Sequence, residues 1–593
     1  LVRTWTHPRG TVQYFPLVHA VFWMETNFWG NSTSGFHLLN ILLHVFSALM
    51  LVRILRKLGI RGSWLAAAIF ALHPVQVESV AWITELKNCL SGVFFLSAAL
   101  AYLNYTEAGK RRSYILSLGL FILGLLSKTT IAPFPLAMLA VVWWKHSRLS
   151  WRQDIVPLLP FFLAGILFGL ITLYVERTYI GTRGPEFEFS LIERCLIAGR
   201  AIWFYLSKVF LPVNLIFTYP RWSVSEGIWW QYLFPAAALM VGCILWAVRK
   251  VWRAPASVFF YFTAMLLPYL GFFSLFTFRY SFVADHYQYL AIIGPIVIGV
   301  GLVEMALVSV RGGWRLLKKA VSVMLLLTLG VLSWKQSRMY SDAETLYQTT
   351  ITRNDNSWMA HNNLGLLLAK RGRTDEAIAH YQKALEINPN HAEAHNNLGV
   401  LLADIGRTDE AIAHYRQALE INPNYGNAHY NLGVQLADIG RTDEAMAHYQ
   451  KALEINPNHV EAHTNLGLLL AKRGRTDEAI AHYQKALEIN PNHGDAHYYL
   501  GIQLAQIGRT DEAIAHYRQA LEINPDAIDA LLNLSIAFVQ KGQLTNAVSV
   551  LQKALASTQS AGDEARAKKI AQMLSKLYET INSSQVNSKT HAQ

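Results

Sequence analysis

The sequence predicts an all-α protein in which a polytopic bundle of transmembrane helices precedes a helical solenoid. Long apolar runs recur up to residue 336, and from Pro389 to Pro525 a proline returns at every 34th residue. The two parts also differ in charge. Residues 1–340 hold 30 Lys+Arg and 12 Asp+Glu, a balance of +18, and residues 341–593 hold 22 and 28, a balance of −6; together they make the net +12 of the chain.

This distribution of charge excludes several classes of protein. The basic residues are scattered among apolar runs, so the sequence is not that of a small module, a disordered chain or a basic nucleic-acid-binding domain. None of the three cysteines belongs to a C-x-x-C pair, and no metal site is predicted. Residue 1 is Leu and the chain begins within an apolar pattern, so we expect a fragment whose true N-terminus is missing.

The apolar runs predict a membrane domain over residues 1–340 with ten spans. A span needs roughly 20 mostly apolar residues. The fourth and fifth runs meet at Lys128, with Pro133 and Pro135 just after, and are short enough to form a bent pair instead of two crossings. The candidate spans are approximately 36–57, 63–84, 89–106, 113–128, 130–145, 155–176, 228–248, 255–276, 287–310 and 318–336.

Basic residues in short loops predict the orientation of this multi-pass protein, in the cytoplasmic membrane if the source is bacterial. If the first candidate span runs from outside to inside, the amphipathic segment 191–217 lies at the outer interface and everything after Trp334 is extracytoplasmic. All the main basic clusters then lie inside, within 53–61, 110–112, 145–152, 249–253 and 311–319.

Polar and ionisable residues crowd at the outer ends of the spans, where such groups usually face a cavity or a site. Glu78 and Glu85 are seven residues apart and share one face if the helix continues past Pro74. The other members of this set are His73, Lys87, Asn88, Lys128, Arg279, Asp285, His286 and Tyr287.

Each of these groups has a structural alternative. His37, Asn40 and His44 form one polar stripe on the first span, either as interhelical hydrogen-bond glue or as a cavity lining. Metal binding by the two histidines is less favoured, because no carboxylate lies on that span. The two lysines of the outer set either snorkel to the interface or take part in function beside the acidic cluster, and Glu85 can be a solvated loop charge.

Three motifs resemble one known family. Tyr14–Leu17, Phe36–His44 and the His-Pro-x-x-x-Glu string within Ala71–Ala81 look like the membrane domain of the transmembrane and tetratricopeptide-containing (TMTC) O-mannosyltransferases and their bacterial relatives. These are similar to GT-C glycosyltransferases, multi-span enzymes with a lipid-phosphate sugar donor. The resemblance covers most of residues 12–340. It implies a GT-C-like bundle that transfers a sugar from a polyprenyl-phosphate carrier to a protein acceptor on the outer face.

The resemblance also implies roles for the polar residues. A carboxylate must deprotonate or orient the acceptor hydroxyl, and Glu78 is the first candidate and Asp285 the second. Cations must hold the departing phosphate. The candidate cations are Lys87, Lys128 and Arg279, with Arg200 and Lys208 for the lipid head group, and the cavity lining consists of His37, Asn40, His44, His73, Glu85, Asn88, His286 and Tyr287.

Three departures from the family pattern bear on activity. The key acid of GT-C enzymes lies in a first outer loop, which should precede residue 1 here. Relatives often have Arg where this chain has Leu86, in a Glu-Arg-Lys-Asn string, and Asp-Arg-Tyr where it has Asp285-His286-Tyr287. Either the donor site differs from that of relatives or activity is weakened.

The second half has the period of tetratricopeptide (TPR) repeats. Frames counted from Trp358 give five closely similar repeats and a divergent one at 528–561. Leu-Gly at positions 7 and 8 and Ala at position 20 let helices A and B approach, Tyr at position 24 fills the space between repeats, and Pro ends helix B. Residues 341–357 look like helix B of one more repeat, 562–580 like a capping helix and 581–593 like a disordered tail.

The array predicts a groove for an extended protein segment. Position 6 of helix A carries Asn in all but the fifth repeat, and such a row can pair with a peptide backbone whatever its sequence, similar to the asparagine ladder of O-GlcNAc transferases. Alternatively, near-identical repeats copy Asn along with everything else. The row consists of Asn363, Asn397, Asn431, Asn465, Tyr499 and Asn533.

The sequence is compatible with two functions. One is a membrane glycosyltransferase whose TPR array recruits protein acceptors, with the lipid-linked sugar as donor and no other cofactor assigned. The other is a catalytically inactive, membrane-anchored TPR scaffold for protein–protein interaction. A transporter is less favoured, because the polar residues lie at the outer ends and not at mid-membrane.

Overall fold

The computed structural model describes residues 15–30, 32–182, 184–308 and 314–590. Throughout these ranges the protein is helical without a β-strand, which confirms the predicted all-α class. The chain separates into two compact units, one up to Leu367 and one from Leu368. Tyr14 of the first motif, Arg311 of the last basic cluster and the end of the predicted tail, 591–593, lie outside the described residues.

The first unit is a bundle of helices that follow the predicted spans in position but not always in length. They are α1 (Pro16–Trp29), α2 (Thr33–Lys57), α3 (Ser63–Leu72), α4 (Val77–Ala81), α5 (Leu86–Ala108), α6 (Arg111–Ser127), α7 (Phe134–His146), α8 (Leu159–Val175), α9 (Leu191–Phe210), α10 (Leu233–Val248), α11 (Ala254–Leu266), α12 (Ile293–Val308), α13 (Trp314–Ser337) and α14 (Ala343–Arg353).

Within the described ranges, five helical segments are long and apolar enough to cross a membrane, or six if a bent pair formed by Ser63–Leu72 and Pro74–Ala81 counts as one crossing. The chain is therefore a multi-pass membrane protein. The amphipathic α9 is not among these segments. The five are Thr33–Lys57, Ile83–Ala108, Trp151–Ile180, Trp229–Val248 and Lys319–Tyr340.

Within the described residues, the other candidate spans form helices of 10 to 17 residues, shorter than a full crossing, and α6 and α7 fit the bent pair that the sequence left open. The turn Thr129–Ile131 and Pro133 separate α6 from α7, which have 17 and 13 residues. Pro268 lies in the turn that ends α11, and α12 begins only at Ile293. Proline removes a backbone donor and interrupts the helix, whereas hydropathy continues across the break.

Aromatic side chains fill the centre of this bundle. Phe121, Phe134 and Phe161 come from α6, α7 and α8, and their ring centroids lie 5.0 to 5.5 Å apart. Tyr102 of α5 packs edge-on against Phe161 at 5.8 Å. All four side chains are fully buried, and such aromatic pairs add to the burial energy that holds the helices together.

The repeat region is a TPR solenoid of alternating A and B helices, and the second unit holds the part of it from Leu368 onward. The helices from the first full repeat onward are α15 (Trp358–Lys370), α16 (Thr374–Ile387), α17 (Ala392–Asp404), α18 (Thr408–Ile421), α19 (Gly426–Asp438), α20 (Thr442–Ile455), α21 (Val460–Lys472), α22 (Thr476–Ile489), α23 (Gly494–Gln506), α24 (Thr510–Ile523), α25 (Ile528–Gln540), α26 (Leu544–Ser560) and α27 (Glu564–Thr590).

The small residues of each repeat act as the sequence predicts. A Cβ added at Gly399 would lie 2.7 Å from Cε1 of Tyr415, so the glycine at position 8 makes room for the tyrosine at position 24 of the same repeat. The tyrosine also reaches across repeats, since the rings of Tyr483 and Tyr499 stack at 5.9 Å. It therefore fills space both within and between repeats.

The first unit ends later than the predicted boundary at residue 340. Arg353 Nη1 donates a 2.6 Å hydrogen bond to the carbonyl of Leu215, and Asn354 Nδ2 donates a 3.0 Å bond to that of Thr218. These bonds tie the end of α14, the predicted extra helix B, to a loop that follows α9. The start of the repeat region therefore belongs to the same compact unit as the bundle.

The last helix also differs from the prediction. α27 runs from Glu564 to Thr590, so residues 581–590 continue the predicted capping helix, where we expected a disordered tail. No Gly or Pro follows Gly562 to end the helix.

A row of histidine pairs joins helix A to helix B in the second unit. In one pair, His395 Nε2 donates to the carbonyl of Pro389 at 3.1 Å, so its Nδ1 accepts from Nδ1–H of His414 when both rings are neutral. Burial lowers the pKa of both rings from the ordinary 6.5. The Nδ1–Nδ1 distances are 3.0 Å for His395–His414 and 2.9 Å for His429–His448, His463–His482 and His497–His516.

Lowering the pH from about 7.5 to about 5.5 should loosen the repeats that carry a histidine pair. Because the pKa of His395 and of His414 is lower in the folded than in the unfolded chain, unfolding takes up protons in this range. The stability that is present above the unfolded pKa is lost as the pH falls. Hydrogen–deuterium exchange of the whole chain, corrected for the intrinsic effect of pH, should be faster in α17 and α18 at the lower pH.

The chain carries its own control for this measurement. The repeat formed by α25 and α26 has Leu531 and Val550 at the positions of the pair, so its exchange should not respond. His414→Asn should weaken the pH response in its own repeat and leave the other pairs unchanged. Equal protection of α17 and α18 at both pH values would contradict the prediction.

Candidate functional site

Helix breaks around Pro74 shape the candidate site. Pro74 starts a short turn that the side chain of His73 caps, and α4 follows for five residues. After Trp82 a second turn leads into α5. Glu78 and Glu85 therefore lie on separate helical segments, so the continuous helix that a shared face requires does not form. Both carboxylates are nevertheless buried, at 2% and 1% exposure.

Glu85 is the centre of a buried polar network. Its carboxylate lies 2.9 Å from Lys87 Nζ and 3.5 Å from Lys128 Nζ, and it accepts a 2.7 Å hydrogen bond from Asn88 Nδ2. Lys128 Nζ donates to Asn88 Oδ1 at 2.6 Å. Glu85 is thus not a solvated loop charge, and Lys128, which is buried, does not snorkel to the interface.

The second carboxylate, Glu78, pairs with His286. Its Oε1 lies 3.0 Å from His286 Nδ1, and its Oε2 accepts the backbone N–H of His286 at 3.0 Å. Asn88 Nδ2 donates to the carbonyl of His286 at 3.1 Å. This bond joins the Glu78–His286 pair to the network of Glu85, so the two predicted carboxylates belong to one cluster.

Asp285 and Tyr287 lie beside this cluster and have their own partners. Asp285 is buried, and its Oδ1 accepts a 2.9 Å hydrogen bond from the hydroxyl of Tyr219. The ring of Tyr287 stacks on that of Tyr269 with centroids 4.0 Å apart. Lys128 Nζ lies 5.9 Å from the same Tyr269 ring, so an aromatic wall borders the ammonium group.

The structure does not bring the other three predicted cations into the cluster; each is engaged elsewhere. Arg279 forms an ion pair, Arg200 lies over an aromatic ring, and Lys208 donates to a backbone carbonyl. The partners are Glu186 for Arg279 (3.0 Å), the ring of Trp222 for Arg200 (4.4 Å to the centroid) and Val213 for Lys208 (2.8 Å).

Most of the predicted cavity-lining residues on the first two spans instead make buried hydrogen bonds. Asn40 and His44 hold α2 against the segments around the cluster. They therefore act as interhelical hydrogen-bonding residues, one of the two roles that the sequence allowed for this stripe. His37, further out on the same stripe, is half-buried. The partners are the carbonyl of Val80 for Asn40 Nδ2 (3.4 Å), the hydroxyl of Tyr289 for His44 Nδ1 (2.8 Å) and the carbonyl of Val209 for His73 Nε2 (2.9 Å).

Sequence reasoning missed the tyrosines around the site. Tyr219, Tyr269 and Tyr289 contact Asp285, Lys128 and His44 as described, from segments far apart in the chain. No spacing in the sequence marks them, although Tyr269 directly follows a proline that interrupts an apolar run. Their roles depend on the packing of the helices.

The cluster has the parts of a proton-transfer and anion-binding site. The Glu78–His286 pair can accept a proton, and Lys87 and Lys128 supply two positive charges, of which Glu85 balances one. In the parts of the chain that the structure describes, no group of three or more His, Cys, Asp or Glu side chains is placed to hold a metal ion.

In the second unit, the asparagine row lies between neighbouring A helices. Three of its members donate their amide N–H to the preceding repeat, and among the described residues we find no hydrogen-bond donor to their side-chain carbonyls. Asn363 belongs to the first unit, Asn397 is half-buried, and Tyr499 stacks as described. The donated bonds run from Asn431 to Asn396 (3.0 Å), from Asn465 to Tyr430 (3.3 Å) and from Asn533 to Tyr498 (3.2 Å).

Replacing Lys128 by Met should destabilise the first unit, because the buried carboxylate of Glu85 loses a counter-charge. We expect a loss of roughly 3 kcal/mol, the usual cost of breaking a buried ion pair. Thermal unfolding followed by tryptophan fluorescence reports on this unit alone, since all 17 tryptophans precede residue 359. Adding Glu85→Gln should recover part of the loss, and a Lys128→Met variant as stable as the wild type would contradict the assigned pair.

Two family matches cover most of the chain between them. Residues 6–174 match the dolichyl-phosphate-mannose-protein mannosyltransferase family. Residues 326–570 match the C-terminal domain of cilia and flagella-associated protein 70, a TPR-type domain. The site residues up to Lys128 fall in the first match, and Arg279 to Tyr287 fall outside both.

Curated relatives are protein O-mannosyl-transferases. F38B6.6 of Caenorhabditis elegans is 24% identical over 375 residues, 61% of this chain and 52% of that protein. Tmtc2 of Xenopus laevis is 28% identical over 204 residues, 31% and 24% of the two chains. Human TMTC4 is 36% identical over 89 residues, 12% of each. The chain thus spans about half the length of the first of these relatives, and less of the others.

Solved structures resemble the repeat region. The TPR protein YrrB is 29% identical with a TM-score of 0.28, over 31% of this chain and 95% of that one. PilF of Pseudomonas aeruginosa is 23% identical with a TM-score of 0.34, over 37% and 98%. From the family matches and the curated relatives, the chain is a homologue of the TMTC protein O-mannosyl-transferases, with a mannosyltransferase-family segment followed by a TPR-type segment.

Proposed function

We propose that this chain transfers mannose from a polyprenyl-phosphate donor to hydroxyl groups of a protein acceptor on the extracytoplasmic face of the membrane. The observation that carries the proposal is the buried cluster of two carboxylates, two lysines and an imidazole at the predicted outer end of the bundle. Most of its residues lie in the segment that matches the mannosyltransferase family. Burying this many ionisable groups in a membrane protein is costly, and such groups usually mark a functional site.

In the proposed reaction, the hydroxyl oxygen of the acceptor bonds to the anomeric carbon of the sugar while the bond from that carbon to the phosphate oxygen breaks. The hydroxyl proton passes to the Glu78–His286 pair, and the bonding electrons leave with the phosphate. Lys87 and Lys128 stabilise the charge that develops on the leaving phosphate. Because Glu85 contacts both lysines, the phosphate competes with an internal carboxylate for them.

In this proposal, the TPR array recruits the acceptor. Its asparagines Asn431, Asn465 and Asn533 keep their side-chain carbonyls as acceptors for the N–H groups of an extended segment. Recognition of backbone groups does not depend on side chains. An array of this kind suits an enzyme that modifies hydroxyl residues in different sequence contexts.

The second candidate function is the inactive scaffold. It is favoured by the internal partners of the predicted donor cations, since Glu85 engages Lys87 and Lys128 and Glu186 engages Arg279. Leu86, where relatives often have Arg, is fully buried at 1% exposure and adds no charge. In this case the array would bind a protein without any transfer of sugar.

Glu78→Gln should lower sugar transfer by about 10²- to 10⁴-fold, because the variant cannot take up the hydroxyl proton. The measurement uses the intact protein in lipid nanodiscs, a synthetic polyprenyl-phosphate mannose and a Ser/Thr-rich peptide. Glu107→Gln is the matched control: Glu107 is a half-exposed carboxylate at the opposite end of α5, paired with Lys57 and Lys145, and its variant should keep wild-type activity.

The outcomes separate the two candidate functions. Transfer by the wild-type chain and by Glu107→Gln, but not by Glu78→Gln, supports the enzyme and the role of Glu78. Equal transfer by all three would keep the enzyme and remove Glu78 from the chemistry. No transfer by the wild type, together with binding of the peptide, would favour the scaffold.

A reporter fused after Gln593 should read as extracytoplasmic. The basic clusters favour an inner position of the short loops, and with that orientation the helix Lys319–Tyr340 would carry the array out of the cytoplasm. Paired alkaline phosphatase and green fluorescent protein fusions give opposite signals on the two sides, because the first folds only outside and the second only inside. A fluorescent, phosphatase-negative fusion would reverse the assigned orientation.

A further inference from the structure

A large apolar cavity lies at the other end of the first unit, away from the candidate site. Its volume is about 480 Å³, and α2, α5, α7, α11 and α12 line it. Representative lining residues, one from each helix, are Leu55, Ala99, Val141, Val258 and Gly301. None of them takes part in the buried polar cluster, so the proposed reaction does not account for this space.

The side chains that line the cavity suit a hydrocarbon ligand. Its lining is almost entirely aliphatic and aromatic. An apolar cavity of only about 150 Å³ stays dry and binds benzene. At about 480 Å³ this cavity has room for a hydrocarbon considerably longer than benzene. In a helix bundle surrounded by lipid, the hydrocarbon available at such a site is the acyl chain of a membrane lipid.

The position of the cavity indicates from which leaflet of the membrane a lipid would enter it. Its lining on α5 runs from Phe95 to Leu103, and at 1.5 Å per residue Leu103 lies roughly 22 Å along the helix from Asn88 of the polar cluster. The lining also includes two exposed side chains, Arg61 and Trp252, in loops that the sequence assigns to the inner side. The cavity therefore opens toward the leaflet opposite the proposed reaction.

The positive charge of Arg61 beside the cavity favours a lipid with an anionic head group. Arg61 lines the cavity and is exposed, and its guanidinium suits a phosphate group. Glu304 lines the same cavity, but it is buried and has an interaction partner of its own. Trp144 and Trp252, also in the lining, are residues typical of the membrane interface.

We propose that this cavity binds one acyl chain of an anionic phospholipid from the inner leaflet, with its phosphate against Arg61. Gly301 gives a direct test, because a Cβ added there meets no atom within 4 Å and Gly301→Leu would extend into the cavity. Gly119 on α6 also has open space around an added Cβ and lies outside the lining, so Gly119→Leu is the matched control.

The experiment is native mass spectrometry of the whole chain. The protein is taken from nanodiscs of equal parts phosphatidylglycerol and phosphatidylcholine, with a trace of polyprenyl phosphate, into detergent. The wild type and Gly119→Leu should each retain one phosphatidylglycerol, and Gly301→Leu should lose at least tenfold of this adduct. Arg61→Gln should still retain a phospholipid but without preference for the anionic one.

Several results would overturn the proposal. An unchanged adduct in Gly301→Leu would show that the lipid is bound elsewhere. Retention of polyprenyl phosphate would make the cavity part of the donor site, and an unchanged preference in Arg61→Gln would remove the assigned head-group contact. Because the readout is lipid retention and not sugar transfer, the outcome does not depend on the proposed enzyme activity.

Discussion

The buried carboxylate of Glu85 is the constraint on which the end of the bundle that holds the polar cluster depends. Desolvating a carboxylate costs several kcal/mol unless counter-charges and donors surround it. Lys87, Lys128 and Asn88 meet this requirement from the start of α5 and from the break between α6 and α7. Asn88 then extends the network to the backbone of His286. One buried charge thus holds together segments that lie up to 200 residues apart.

The same constraint bears on function. Lys128 is close to Glu85 and Asn88, so a donor phosphate can use its ammonium only by sharing or displacing an internal partner. In an enzyme, Glu85 would offset part of the positive charge of the two lysines until the donor arrives. In a scaffold, the pairing would simply be permanent. Of the two positions where the resemblance led us to expect Arg, Leu86 is buried and His286 is the partner of Glu78.

The sequence predicted the repeat array better than the bundle, and the reason is local. In a TPR, Gly399 and Tyr415 touch within one repeat, so the spacing of residues along the chain already encodes the contact. In the bundle, Asp285 meets Tyr219 and His44 meets Tyr289 across long stretches of sequence. Hydropathy predicted where helices occur, and the short runs at Lys128 already indicated a bent pair, but the end of α11 at the turn that contains Pro268 was not foreseen.

The sequence by itself determined the helical class, the division into a membrane part and a repeat part, and the candidate polar residues, because these follow from composition and periodicity. Only the tertiary structure decided which candidates meet. It joined Glu78, Glu85, Lys87, Lys128 and His286, and it left Arg279, Arg200 and Lys208 with partners of their own. The physical reason is that a buried charged group pairs with the counter-charge nearest to it in space, and the packing of the helices determines which residue that is.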